Sequence, residues 1–337
     1  MERRNFISNA TYSIVGVSLL GMYACKKNNS EAQSTADQNT IISKTAPTLK
    51  LSLAQWSLHK MIVNNTLNPM DFALKAKELG FEALEYVSQL YIPEIKKRGN
   101  TDQAILDIVT ELKEKSDALR MHNQIMMVDL HDEQALLASA SETHRSKAVE
   151  NHKIWVDATA ILGCHSMRVS LFGSLEEAIW ASSSVKSLSE LCQYAAKKNI
   201  NVIVENHGYL SSNAALVAKV IKEVNMSNCG TLPDFDNFCL KREGNELWST
   251  PCIEEYDKYK GVQELMPYAK GVSAKSFNFD NKGQETTIDF LKMMRIVNDA
   301  GYKGYVGIEY EGDELSEEQG ILATKALLMQ VTKELTS

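Results

Sequence analysis

From residue 49 onward, two hydrophobic periods take turns. Short β-rich runs with apolar residues at consecutive or alternating positions fall at 50–56, 81–87, 124–129, 165–170, 201–205, 229–235, 271–276 and 305–310. Between them, at 69–79, 101–119, 142–162, 175–198, 213–224, 253–269 and 287–300, apolar residues recur every three or four positions, and 316–335 closes the chain in the same way. The first pattern suits a strand, and the second buries one face of a helix. Several helical stretches stop at a glycine just before the next strand, as in Leu79-Gly80-Phe81, Leu162-Gly163-Cys164 and Ala300-Gly301-Tyr302. Segments such as Val202-Ile203-Val204 are apolar at adjacent positions, as parallel strands covered on both faces require.

Eight strand–helix pairs in about 290 residues predict an α/β fold, a closed (β/α)8 TIM barrel spanning 49–337. An open doubly wound sheet fits less well, because 51–57 contains no glycine and so carries no phosphate-binding fingerprint. The third pair is the least regular, with room at 118–129 for a longer loop ahead of its strand.

The first 48 residues follow neither period. Arg3 and Arg4 precede Asn5, Phe6 and Ile7, and 11–24 is a mildly apolar run of 14 residues, too short to span a bilayer. This start resembles a twin-arginine export signal. The run ends in Met22-Tyr23-Ala24-Cys25, a small residue before a cysteine as in the lipobox of bacterial lipoproteins, which makes Cys25 the candidate lipidation site. Simple cleavage or an uncleaved anchor are the alternatives. The expected organisation is a signal at 1–25, a flexible linker at 26–48 rich in Lys, Asn, Ser, Gln and Thr, and a catalytic barrel at 49–337. The expected location is exported, either periplasmic or tethered to the membrane by a lipid or signal anchor.

Charge excludes one class of partner. The chain has 36 Lys and Arg against 43 Asp and Glu, a net charge of −7, so no basic face is available for a nucleic-acid backbone. The 44% hydrophobic content fits an ordinary folded protein, and a homo-oligomer is compatible with it. The cysteines show no CxxC spacing. Cys164, Cys192 and Cys229 sit in apolar contexts as free thiols, while Cys239 and Cys252 could bond in an oxidising compartment. The polar insertion at 238–251 either lids the site or elaborates the surface.

In a barrel of this type the chemistry sits where strands end. The fifth strand runs out into Glu205-Asn206-His207, the sixth into Asp234-Phe235-Asp236-Asn237, the seventh into Ser273-Ala274-Lys275 and the eighth into Glu309-Tyr310-Glu311. Residues at i and i+2 point to one side of a strand, so four neighbouring strands aim their polar groups at one mouth. Any one of these carboxylates could be a helix cap or an ion-pair partner, but three together repel unless a cation holds them. Carboxylates with at most one imidazole suit Mn²⁺, Mg²⁺, Co²⁺, Fe²⁺ or Zn²⁺, with Glu205, Asp234 and Glu309 as ligands and His207 or water completing the shell. Mn²⁺ comes first, because twin-arginine export carries folded proteins whose sites are filled in the cytoplasm, where stronger competitors are scarce.

At these residues the chain resembles the sugar phosphate isomerase/epimerase superfamily, the xylose isomerase-like barrels. The resemblance runs from 49 to 335 through Leu53-Ala54-Gln55-Trp56-Ser57, Gly80-Phe81-Glu82-Ala83-Leu84-Glu85-Tyr86, Gly163-Cys164-His165-Ser166-Met167-Arg168-Val169, Val204-Glu205-Asn206-His207-Gly208 and Gly307-Ile308-Glu309-Tyr310. It implies a metal held by Glu205, Asp234, a strand-seven histidine and Glu309, with the two glutamates also moving a proton. The histidine position falls at or near Ser273, so His207 becomes the substitute ligand. Lys275 matches a strand-seven lysine found in many members, as a holder of substrate oxygen or a general acid; it could also simply neutralise Asp234 or Asp236.

The implied chemistry is proton abstraction beside a carbonyl, the step shared by sugar epimerisation, aldose–ketose isomerisation and β-elimination. Expected substrate contacts are Trp56, Glu85, Asp129, Arg168, His207, Asp236 and Glu311, with His131 at the rim; His122, His144, His152 and His165 are taken as structural. The ligand is therefore a small sugar or keto-sugar. The alternatives are a lyase or hydrolase of 3-keto-glycosides at the same metal site, and a tethered, non-catalytic sugar-binding barrel.

Overall fold

The computed structural model describes residues 49–130 and 132–336. The expected signal and linker, with Cys25, and His131 lie outside the described residues. In chain order the strands are β1 (Lys50–Ala54), β2 (Ala83–Val87), β3 (His122–Val128), β4 (Ser166–Val169), β5 (Asn201–Glu205), β6 (Cys229–Leu232), β7 (Cys239–Arg242), β8 (Cys252–Glu255), β9 (Val272–Ser276) and β10 (Tyr305–Tyr310). Eight of them pair in parallel in the order β6-β5-β4-β3-β2-β1-β10-β9, which is the α/β barrel the hydrophobic pattern predicts. The two ends of this sheet meet through isolated parallel bridges, Thr231 with Ala269 and Asp234 with Ser273. Regular pairing therefore lapses at the seam where two site residues lie.

Side-chain alternation sorts each strand into two sets. Leu53, Leu84, Val169, Val204 and Ile308 are fully or almost fully buried and belong to the core cluster with Ile108, Leu188, Val217 and Leu328 of the surrounding helices. Each such side chain contributes about 1.5–3 kcal/mol by leaving water. The alternate positions, Arg168, Glu205, Lys275 and Glu309 among them, point into the barrel and are buried as well. A strand buried on both faces reads as continuous apolar sequence except where a polar residue points inward, and that exception marks the site.

Helix starts follow from side-chain caps. Thr101, Ser141, Asn213 and Asp289 accept from the backbone N–H of Ala104, His144, Leu216 and Lys292. Gly163 ends the long helix Glu142–Leu162 at φ 81°, a left-handed value that a Cβ would resist.

Two expectations need correcting. The helix expected over 253–269 begins only at Lys258, because Asp257 caps it by accepting from the N–H of Tyr259 and Lys260. The residues before that cap form β8, which pairs antiparallel with β7 and is tied to it by a Cys239–Cys252 disulfide. The expected insertion is thus a β-ribbon. The longer loop near the third strand follows β3 rather than preceding it, since β3 already starts at His122. Cys164, Cys192 and Cys229 are buried free thiols, as expected. Among the described residues no helix is long and apolar enough to cross a membrane.

Candidate active site

A cavity of about 480 Å³ opens at the C-terminal ends of the barrel strands. Strand alternation delivers part of its lining: Glu205 ends β5, and Lys275 and Glu309 are paired neighbours on β9 and β10, while Asp234, two residues past β6, lies beside them. One ligand oxygen from each of Glu205, Asp234 and Glu309 lies within 4.8 Å of the others, and all three residues are buried. Asp234 is firmly held. Its Oδ2 accepts from Ser273 Oγ at 2.6 Å and its Oδ1 from the N–H of Asp236 at 2.9 Å. Asn206 braces this turn: its Oδ1 accepts from the N–H of Asp234, and its Nδ2 donates to the carbonyls of Asp234 and Asp236.

Two buried cations face the carboxylates. Lys275 Nζ lies 3.1 Å from Glu309 Oε1 and donates to Glu311 Oε1 at 2.8 Å. Arg168 Nη1 donates to Asp129, and its Nε lies 2.8 Å from Glu205 Oε2. That last contact is an ion pair by distance without an aligned hydrogen bond, so Glu205 Oε2 is a buried acceptor with no donor. Asn237 links both sides, donating to Glu205 Oε1 at 3.3 Å and accepting from Lys275 Nζ at 3.3 Å.

The charges do not balance within the protein. Among the described residues, five carboxylates, Asp129, Glu205, Asp234, Glu309 and Glu311, form ion pairs with only Arg168 and Lys275, or with neither, leaving three excess negative charges if all are ionised. Burial accordingly raises Glu205, Glu309 and Asp234, the last to about 7, reinforced at Glu205 and Asp234 by repulsion from Glu309 and at Glu309 by repulsion from Glu311. Burial opposes ionisation of Asp129 and Glu311 too, but Arg168 and Lys275 respectively overcome it and hold each at about 2. The same carboxylates hold the Arg168 and Lys275 pKa above their ordinary values, although burial alone would lower both. The surplus sits on the three carboxylates that converge. An all-oxygen donor set with one orphaned acceptor fits a hard or borderline divalent cation.

The expected substrate contacts divide into two groups. Trp56, Asp129, Arg168, His207, Asp236 and Glu311 line the cavity. Glu85 does not: it is the middle residue of β2, below the mouth, and accepts from Ser52 Oγ at 2.6 Å. Burial raises its carboxyl to about 8, so at neutral pH it is an uncharged acid beneath the site. His207 lies outside the group of three carboxylates that the structure brings together. Its Nδ1 faces Ser170 Oγ at 3.2 Å, its ring packs 4.6 Å from Trp248, and burial lowers it to about 3, leaving a neutral rim residue. Ser273, at the expected histidine position, is a hydrogen-bond donor to Asp234. Asp236 pairs with Lys258 at 2.7 Å, and Trp56 stacks on His59 at 4.5 Å.

Sequence reasoning missed Asn206, Asn237 and Phe172 as site residues, and reached Arg242 and Trp248 only as part of an insertion that either lids the site or elaborates the surface. Asn237 has φ 48°, so strand alternation does not describe where its side chain goes. Arg242 and Trp248 reach the cavity only because the ribbon folds back over it.

A family model for the xylose isomerase-like TIM barrel matches residues 73–330. The chain belongs to that family. No curated protein matches the sequence. Among solved structures, this xylose isomerase-like barrel resembles a D-psicose 3-epimerase from Clostridium cellulolyticum H10, with TM-score 0.61 and 16% identity over 84% of this chain and 99% of that one. It also resembles the IOLI protein with a bound zinc atom, with TM-score 0.61 and 14% identity over 85% of this chain and 99% of that one. A 3-keto-D-glucoside 4-epimerase from E. coli gives TM-score 0.58 and 16% identity over 78% of this chain and 94% of that one. At such identities the likeness is one of fold.

Proposed function

We propose that this barrel is a divalent-metal-dependent sugar isomerase or epimerase. The observation that carries the proposal is the convergence of Glu205, Asp234 and Glu309 within 4.8 Å, with Glu205 and Glu309 lining a cavity large enough for a sugar. The family, and the sugar epimerases among its structural neighbours, support it. Glu205, Asp234 and Glu309 would hold the ion, with Mn²⁺ preferred, and the ion would supply positive charge for the oxygen anion that develops as a C–H proton leaves.

The remaining steps belong to side chains. Glu309 takes the proton from the carbon beside the carbonyl; the C–H electron pair moves into the new C=C bond and the carbonyl pair onto oxygen. Glu205, facing it from β5, delivers a proton to carbon, and the carbonyl reforms. Lys275, 3.1 Å from Glu309, holds that carboxylate in place and presents an ammonium proton to a neighbouring hydroxyl or alkoxide. Arg168 and Asn237 fix Glu205. Trp56 offers a flat face for the apolar side of the ring.

β-Elimination from a 3-keto-glycoside begins with the same proton abstraction, and the 3-keto-D-glucoside 4-epimerase among the structural neighbours keeps that reading as the second choice. The twin-arginine start and Cys25 support export and lipid anchoring. Incubating free and 3-keto sugars with the Mn²⁺-loaded protein in D₂O tests the proposal. Deuterium should enter carbon in the wild type and not in Glu309→Gln, which should still bind the sugar. Absence of exchange from every sugar would refute the catalytic reading, and release of an aglycone would move it to the lyase.

A further inference from the structure

Beyond the carboxylate cavity, a second chamber of about 290 Å³ opens under the ribbon formed by β7 and β8. The two spaces share Asp236, Asn237, Arg242, Trp248 and Phe277, so they adjoin across one wall. We infer that this chamber is a binding subsite for a second sugar ring, making the preferred ligand at least a disaccharide rather than a free monosaccharide. The inference rests on reading the main cavity as a sugar site.

Three observations carry it. The chamber mixes aromatic faces, Trp248 and Phe277, with side chains that hydrogen-bond through fixed geometry, Asp236, Asn237 and Arg242. That is the lining a pyranose requires, with C–H faces stacked on rings and hydroxyls paired to carboxylate, amide or guanidinium. Second, Arg242 differs from the other cations of the site. Arg168, Lys275 and Lys258 are each ion-paired to carboxylates, whereas Arg242 donates Nη1 to the Thr250 carbonyl at 2.7 Å and has no carboxylate within ion-pair reach among the described residues. Its other donors are available to a ligand.

Third, the ribbon is held over the barrel rather than hanging free. The Cys239–Cys252 disulfide ties its two strands, Tyr209 Oη donates to the Asn245 carbonyl at 2.6 Å, and Trp248 packs on His207. Gly208 makes this possible: a Cβ there would meet Leu247 at 2.8 Å and Trp248 at 3.5 Å. A fixed wall loses little entropy when a ligand arrives, which favours binding of whatever fills the chamber.

Calorimetric titration of the full-length protein separates this subsite from the chemistry. The probes are cellobiose, maltose, trehalose and sucrose against D-glucose and D-fructose. At least one disaccharide should bind about tenfold or more tightly than either monosaccharide. Trp248→Ala and Arg242→Gln should each abolish that preference, weakening disaccharide affinity about tenfold more than monosaccharide affinity. The double variant Cys239→Ser/Cys252→Ser, which frees the ribbon and changes only the two sulfurs of the lining, should also lose the preference. Equal affinity for both sugar classes, no binding of any disaccharide, or equal weakening of both classes in Trp248→Ala would overturn the inference. If disaccharides bind as expected but no sugar exchanges deuterium, the proposed reaction fails and the subsite stands. Exchange on monosaccharides without a disaccharide preference gives the reverse.

Discussion

Replacing Lys275 with Met tests the charge balance of the site most severely. Lys275 is 3% exposed, and its ammonium lies 3.1 Å from Glu309 and 2.8 Å from Glu311. Met fills nearly the same volume, so packing changes little and the charge is what disappears. Removing one partner of a buried ion pair costs about 3–5 kcal/mol, because the remaining carboxylates are left uncompensated. For a barrel of this size that lowers the thermal midpoint by roughly 10 °C in metal-free buffer. A divalent cation in about hundredfold excess over its Kd adds about 2.7 kcal/mol to the folded state. The expected result by differential scanning calorimetry is a large loss of Tm with chelator present, substantially recovered on adding Mn²⁺. Exposed pairs such as Lys198 with Asp157 should show neither effect when broken. An unchanged or higher midpoint for Lys275→Met in chelator would refute the reasoning, since the carboxylates would then be neutral without help from the lysine.

Further outcomes follow from the barrel floor. Glu85 has a folded-state pKa of about 8 against an ordinary value of 4.5, so between those pH values the unfolded chain releases a proton that the folded chain keeps. Its contribution to stability therefore falls as pH rises from about 4.5 to about 8 and levels off above, and Glu85→Gln should remove that slope in urea unfolding measured across the window. Gly307→Ala should cost about 1–3 kcal/mol in the urea midpoint, because the new methyl would sit 2.5 and 2.6 Å from the two Glu85 carboxyl oxygens. The penalty should shrink in a Glu85→Ala background; an equal penalty in both would place the strain elsewhere.

Much of this architecture is legible in the sequence because a doubly buried strand leaves few choices. In β4, β5, β9 and β10 the outward set is apolar for the helices, so an inward Arg168, Glu205, Lys275 or Glu309 stands out by alternation alone. What alternation does not give is height along the barrel axis. Glu85 and Glu309 both point inward, yet Glu85 is mid-strand and accepts from Ser52, while Glu309 reaches the cavity. Turns hide the rest: Asn237, between β6 and β7, is itself in the left-handed region, and the ribbon that carries Trp248 back onto His207 is tied by a disulfide that spacing alone does not require. His207 shows the cost of counting donors by type, since Ser170 and Trp248 engage its ring at the rim.

The account stands or falls on Glu205, Asp234 and Glu309 sharing one ion. Equilibrium dialysis of the chelated protein against Mn²⁺, with metal quantified per chain, should give one tightly held ion in the wild type and its loss in Asp234→Asn at unchanged far-UV circular dichroism. Retention of that ion by Asp234→Asn, or no ion bound by the wild type, would contradict it.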